Sequence, residues 1–330
     1  MLQNQFIQKY WSRGMKYITA QNDYGEKETF ERWNGKSYDA SNLDQIITVT
    51  EDTIICRPGG TLGGEGVPLG YVKVNAITDN SVKDVLYEID EVSTMRANAA
   101  LPIDPEEMKK KGMVEGVDYK LRTPNSYHVR TKSGKFGMIA YANEITSIMI
   151  GAKRGRFTGS MSIAHPDKWE RLKPLCDQVE IAFKEIAPEV YKRQIAFAEQ
   201  SILPEYRHGP FTTASANRYS EKDSLEMGVH SDGRDSGMTT ISIFREGAFS
   251  GGLFCWPRFG IGLDLPSHSV AVLESKELHC ATKVSGSGTR YSTVLYQDIS
   301  VATKSNVGKS ERKIGRFAKE ESGNLEEFFS

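Results

Sequence analysis

Cysteine is scarce in this chain: Cys56, Cys176, Cys255 and Cys280 are the only four in 330 residues, and no two form a CxxC pair. That excludes a disulfide-dense scaffold and a zinc–thiolate knuckle, and it fits a reducing compartment. No apolar run reaches the roughly 18 residues that a membrane-spanning helix needs. The opening residues show no basic stretch leading into an apolar one, so no signal peptide is expected. The protein therefore reads as soluble and intracellular, in cytoplasm or nucleus, with no membrane and no obligate protein partner. Charge of one sign is missing too. Lys and Arg number 42 against 43 Asp and Glu, a formal net charge of −1, so no global positive field announces a nucleic acid. The glycine-rich stretch Arg57-Pro58-Gly59-Gly60-Thr61-Leu62-Gly63-Gly64-Glu65-Gly66 lacks the Gly-Lys-Ser/Thr ending of a phosphate loop and reads as a turn.

What is present is an ordinary globular composition, 38% hydrophobic and 26% charged, on a chain long enough for one large domain or two modest ones. Up to about residue 125, short β-like runs alternate with turns; Ile46-Ile47-Thr48-Val49-Thr50 and Thr53-Ile54-Ile55-Cys56 read as strands. Lys109 to Lys111 reads as a solvated helix face. From Pro166 the period changes. Trp169, Leu172, Cys176, Val179, Phe183 and Ile186 recur at steps of three and four, which predicts a helix packed on a sheet. Pro166 suits its first turn, and Pro174 predicts a kink or two abutting helices. A second helix is expected from Pro188 towards Gln200. Beyond Pro210 eight short strands follow, at 212–219, 227–230, 238–244, 253–256, 262–265, 269–274, 278–283 and 290–298. Eight such strands in succession suggest a double-sheet jelly roll or a related barrel.

Chemistry concentrates between Met227 and Asp298. His230 and Asp232, two apart on a predicted strand, project to one face, and His279 lies on another predicted strand. Two imidazoles and a carboxylate, without thiolate, favour a non-haem Fe(II) with open positions over structural zinc. Cys280, the neighbour of His279, faces the other way and reads as a buried thiol. His128, His165, His208 and His268 are not expected as ligands, and His268 after Pro266-Ser267 reads as a turn residue. Arg290 follows His279 by eleven residues, with Ser292 on the same strand face. A guanidinium with a hydroxyl beside it suits the distal carboxylate of a keto-diacid. Asn217 and Tyr219, also sharing a strand face, are candidates for the same co-substrate.

These residues lie in strings that resemble the TET/JBP family of 2-oxoglutarate- and Fe(II)-dependent dioxygenases. The strings are Thr212-Thr213-Ala214-Ser215-Ala216-Asn217-Arg218-Tyr219, then Val229-His230-Ser231-Asp232, then the run from Gly251-Gly252-Leu253-Phe254-Cys255-Trp256-Pro257-Arg258 to Leu265. Glu277-Leu278-His279 and Gly288-Thr289-Arg290-Tyr291-Ser292 complete them. The segment from His165 through Tyr191-Lys192-Arg193-Gln194 resembles the family's helical lead-in. Two stretches differ from the family pattern, Ser267-His268-Ser269 and the Cys-Ala-Thr after His279. The resemblance implies an α+β fold with a double-stranded β-helix (jelly-roll, cupin-like) core supported by helices. It implies Fe(II) on His230, Asp232 and His279, 2-oxoglutarate on Arg290, and O2 as oxidant. It also implies DNA as partner, with a 5-methyl group of thymine or 5-methylcytosine as the target.

On this reading residues 1–125 form an N-terminal mixed extension, 126–300 the dioxygenase core, and 301–330 a charged tail. A base in duplex DNA must be flipped out to react, and phosphate contacts must hold the strand. The candidate contacts are Lys153-Arg154-Gly155-Arg156-Phe157 and the tail lysines and arginines from Lys304 to Lys319, although Glu311, Glu320 and Glu321 let the tail read equally as a solvated amphipathic segment. A 2-oxoglutarate oxygenase acting on a small molecule or a protein side chain is the alternative.

Overall fold

The computed structural model describes residues 14–58, 67–79, 166–201, 207–220, 228–233 and 235–297, with short pieces between 84 and 157. Four strands precede residue 80: β1 (Lys16–Thr19), β2 (Gln45–Thr48), β3 (Thr53–Cys56) and β4 (Pro68–Lys73), with helix α1 (Glu26–Trp33) between β1 and β2. The two strands expected at 46–50 and 53–56 are β2 and β3. The middle of the chain holds β5 (Pro102–Ile103), α2 (Pro105–Lys110), β6 (Tyr119–Thr123), β7 (Ser126–Val129), β8 (Ile145–Ser147) and β9 (Gly155–Phe157). There β5, β7 and β6 form one small sheet and β8 pairs with β9. Lys109 and Lys110 are exposed on α2, as expected of a solvated face.

Helices α3 (Pro166–Ile186) and α4 (Pro188–Ser201) lead into β10 (Thr213–Ser220), β11 (Thr239–Glu246), β12 (Phe249–Gly251), β13 (Phe254–Trp256), β14 (Ile261–Asp264), β15 (Ser269–Leu273), β16 (Cys280–Ala281), β17 (Val284–Gly286) and β18 (Thr289–Tyr296). Of the two outcomes expected at Pro174, a kink or two abutting helices, the second does not occur: α3 runs through Pro174 as one helix. Proline removes one backbone bond there, while Leu172, Leu175, Cys176, Val179 and Phe183 are all fully buried along the face. Each such apolar side chain contributes on the order of 1.5–3 kcal/mol by burial, enough together to offset the defect.

A seven-stranded sheet in the order β1-β3-β4-β15-β11-β18-β10 faces a four-stranded sheet in the order β16-β13-β14-β2, and β12 pairs with β17. Strands from residues 16–73 therefore sit in the same two sheets as strands from 213–296. The large sheet is covered on both sides. On one face Phe244, Tyr291, Leu295, Val270 and Val272 pack with α3. On the other, Ile241, Ile243, Ala271 and Leu273 pack with Phe254, Trp256, Ile261 and Leu263 of the small sheet. This explains why Ser269-Val270-Ala271-Val272-Leu273 is buried at every position instead of alternating. Gly70 on β4 makes the sandwich close: a Cβ there would come within 2.8 Å of Leu273 Cδ2 and 3.0 Å of the Trp256 ring. The result is an α+β protein with a helix-backed double-stranded β-helix.

Candidate metal centre

His230 and His279 are brought together by a backbone bridge. His230 N donates to His279 O at 3.0 Å and His279 N donates back to His230 O at 2.8 Å. The expected strands at 227–230 and 278–283 are reduced to this bridge and the two-residue β16. Beyond the bridge the chain leaves the regular ladder. Asp232 does so: its N–H is caught by Ser275 O at 3.0 Å in the turn beyond the bridge. One ligand atom from each of His230, Asp232 and His279 lies within 4.8 Å of the other two. Their imidazole centroids are 4.5 Å apart, and His279 Nε2 is 3.5 Å from Asp232 Oδ2.

Each imidazole is oriented in the same way. His230 Nδ1 lies 2.8 Å from Gly228 O, and His279 Nδ1 lies 2.9 Å from Glu277 O. A carbonyl only accepts, so Nδ1 carries the proton in both rings and Nε2 keeps the lone pair that a metal needs. Phe254 stacks on His279 at 5.4 Å and 19°. Burial, then the charge of neighbouring His279, brings the His230 pKa down to about 4, so this ring is held neutral. Burial also opposes protonation of His279, but the hydrogen bond and charge of Asp232 together with the Glu277 carbonyl outweigh it and the pKa is raised. Burial likewise works against the Asp232 carboxylate, yet contact with His279 holds its pKa below the ordinary value. His279 and Asp232 thus each favour the other's charged form across 3.5 Å.

Arg290 and Ser292 lie on β18, paired on one side with β10 and on the other with β11. Tyr219 stands directly across from Arg290, and Asn217 across from Ser292. The four residues expected to meet a co-substrate thus form two cross-strand pairs on one face of the sheet. Arg290, Ser292 and Tyr219 are all buried, with the guanidinium 5.3 Å from the Tyr219 ring centre. Burial lowers the Arg290 pKa. The neighbouring cation Arg245, opposite Arg290 on β11, is ion-paired with Asp264, whereas among the described residues no carboxylate pairs with Arg290. A buried guanidinium in that condition suits an incoming carboxylate.

Several contributors have no motif to betray them. Gly252, in the left-handed region at φ +67°, passes so close to Arg290 that a Cβ would sit 2.9 Å from its Cδ. The Gly251-Gly252 pair was its only sequence signal. Asp235 is buried, and its Oδ2 accepts from Thr239 Oγ1 and, at 3.0 Å, from Ser275 Oγ. Burial, then the nearby Asp232 charge, pushes its pKa up to about 7. Cys280 is buried as expected, and His268 is a turn residue with φ +64°. His165, Lys153, Arg154 and the tail from Lys304 lie outside the described residues, as do residues 59–66 of the glycine-rich stretch.

No family model and no curated protein matches the chain. Among solved structures the fold resembles NgTET1 in complex with 5mC DNA, at 9% identity over 92% of this chain and 90% of that one, with a TM-score of 0.50. An oxidoreductase of the 2OG-Fe(II) oxygenase family from Burkholderia pseudomallei aligns at 17% identity over 67% of this chain and 91% of that one, with a TM-score of 0.29. The viral collagen prolyl hydroxylase vCPH from Paramecium Bursaria Chlorella virus-1 aligns at 14% identity over 33% of this chain and 66% of that one, with a TM-score of 0.22. At these identities the likeness to NgTET1 speaks to the fold.

Proposed function

We propose that this protein is an Fe(II)- and 2-oxoglutarate-dependent dioxygenase that hydroxylates the 5-methyl group of a pyrimidine, 5-methylcytosine or thymine, in DNA. The observation that carries this reading is the convergence of His230, Asp232 and His279 within 4.8 Å, each imidazole turned with Nε2 available. Two nitrogens and one carboxylate without thiolate fit ferrous iron with positions left for co-substrate and O2. When bound, Fe(II), 2-oxoglutarate and O2 supply the oxidising power for C–H hydroxylation, with 2-oxoglutarate leaving as succinate and CO2.

The chain's own part is to bind, orient and exclude water. His230 and His279 are neutral donors fixed through Nδ1, and Asp232 brings the negative charge. Arg290 would hold the distal carboxylate of 2-oxoglutarate by charged hydrogen bonds, with Ser292 on the same strand and Asn217 and Tyr219 at the paired positions of the neighbouring strand. Burial of Arg290 strengthens that attraction by removing competing water.

The DNA substrate is supported by the TET/JBP-like strings between Thr212 and Gln297 and by the fold likeness to a protein solved with 5mC DNA. A duplex base must be flipped to enter such a site, at a cost of a few kcal/mol. A second reading, hydroxylation of a small molecule or a protein side chain, is favoured by the formal net charge of −1. The two part on one experiment. The chain is incubated with Fe(II), 2-oxoglutarate and DNA carrying 5-methylcytosine or thymine, and the nucleosides are read by mass spectrometry. Hydroxymethylated nucleoside, absent with His230→Ala, supports the DNA reading. Succinate formed only with a non-nucleic substrate transfers the proposal to the second. Retention on DNA that weakens as salt rises is the accompanying binding test.

A further inference from the structure

The N-terminal segment grips both histidines. Val229 and Leu278, each immediately preceding one of them, belong to one buried cluster with Tyr38, and Trp33 packs against it. On the His230 side, Gly35 N donates to Val229 O at 2.8 Å and Val229 N donates to Lys36 O at 2.9 Å. On the His279 side the grip is ionic. Glu277, whose carbonyl holds His279 Nδ1, places Oε1 2.8 Å from Arg57 Nη2 and 3.2 Å from Arg258 Nη1. Arg258 is itself forked onto Asp23, at 2.8 Å to Oδ1 and 3.0 Å to Oδ2. Both guanidiniums also lie over the Phe259 ring. Exposed ion pairs contribute little, but the Glu277 side chain is only 10% exposed and is held from two sides.

We infer that residues 23–57 form a positioning clamp for the metal centre, with the Arg57–Glu277–Arg258–Asp23 network fixing the carbonyl that orients His279. The inference rests on the metal-centre reading above and assigns it a new element. Glu277, Arg57, Arg258 and Asp23 touch no reacting atom; they act through the His279 imidazole. An outer partner that fixes ring orientation tunes metal affinity, typically by 10- to 100-fold when lost.

The test is a Co(II) titration of the full chain, followed by the visible absorption of the bound ion, with thermal unfolding of the metal-free protein alongside. Glu277→Gln is expected to weaken Co(II) binding by about 10- to 100-fold and to shift the Co(II) band. Its metal-free melting temperature is expected to fall, because two half-buried guanidiniums lose their carboxylate, so binding is read at a temperature where the variant is folded. Arg258→Gln is expected to weaken binding in the wild-type background and to add little in the Glu277→Gln background, because both act through one carbonyl. Should Glu277→Gln fail to fold, Arg57→Gln, which leaves the Arg258 contact in place, is read by the same titration. Wild-type affinity and an unshifted band in the folded variants overturn the clamp. A wild-type chain that binds no Co(II), or a His230→Ala chain that binds it normally, overturns the metal centre itself, and so the two failures are told apart.

Discussion

The two ends of the candidate site are built in opposite ways. Arg290 and Ser292 ride on β18, eight residues long and hydrogen-bonded on both edges, so ladder register alone sets them opposite Tyr219 and Asn217. The metal end has an isolated bridge, a two-residue strand and a turn. A forked carboxylate contact needs one side chain with one direction, which a regular strand supplies. The three donors of the candidate centre sit on a bridge and a turn, which fix no such register. Their orientation must come from elsewhere, namely the carbonyls of Gly228 and Glu277 and the packing around Val229 and Leu278. Around Arg290 precision is inherited from the sheet; at the candidate metal centre it is assembled locally.

Breaking each end separately separates their roles. His230→Ala is expected to lower turnover by more than about 10³-fold and to abolish metal uptake, since two remaining donors make an incomplete site. Arg290→Gln is expected to leave Co(II) uptake intact while weakening 2-oxoglutarate binding by about 10²-fold. That matches the roughly 1.5–3 kcal/mol of a hydrogen bond to a charged group, and calorimetry reads both affinities. Loss of metal uptake in Arg290→Gln would show that the two ends are not independent. Gly252→Ala probes the seam between them. The added methyl meets Arg290 Cδ in a left-handed backbone, so a stability loss of about 1–3 kcal/mol in urea denaturation is expected. About tenfold weaker 2-oxoglutarate binding should accompany it, with metal affinity unchanged.

The same contrast decides what was legible in the sequence. Regular elements announce themselves by period, so α3, α4, β10, β11, β13, β14, β15 and β18 were readable to within a residue or two. The three residues of the candidate centre stood out for a different reason: an H-x-D triplet and a later histidine are scarce residue types at a meaningful spacing. Local geometry was not legible. The strand expected at 227–230 is a single bridge between His230 and His279. The placement of β1, β3 and β4 in the large sheet was invisible, since β1 pairs in parallel with β3 and β4 with β15 across some 200 residues. Such register is set by long-range packing, not by local pattern. No local pattern links Glu277, Arg57, Arg258 and Asp23, and only their three-dimensional meeting reveals a network.

The smallest effect sharpens the metal end further, through pH. Folded Asp235, with its pKa pushed up to about 7, keeps a proton that the unfolded chain releases near pH 3.9. Its contribution to stability is full at low pH and is lost as pH rises through the folded value. Folded His230, with its pKa brought down to about 4, refuses a proton that the unfolded chain accepts near pH 6.5. Its contribution is full at high pH and is lost as pH falls. Between about pH 4 and 6.5 the two slopes oppose each other, so the unfolding free energy of the metal-free wild type should be comparatively flat from these groups. Asp235→Asn removes one of them. The variant's unfolding free energy relative to wild type should therefore climb by about 1–2 kcal/mol from pH 4.5 to 6.5, a fraction of the 1.36 kcal/mol per unit that one fully linked proton allows. Exposed carboxylates titrate alike in both proteins and cancel in the difference. Urea denaturation of the two chains at those pH values measures it. Parallel curves would mean that Asp235 is already ionised in the fold, so that the two acidic side chains beside the imidazoles are both charged before any metal arrives.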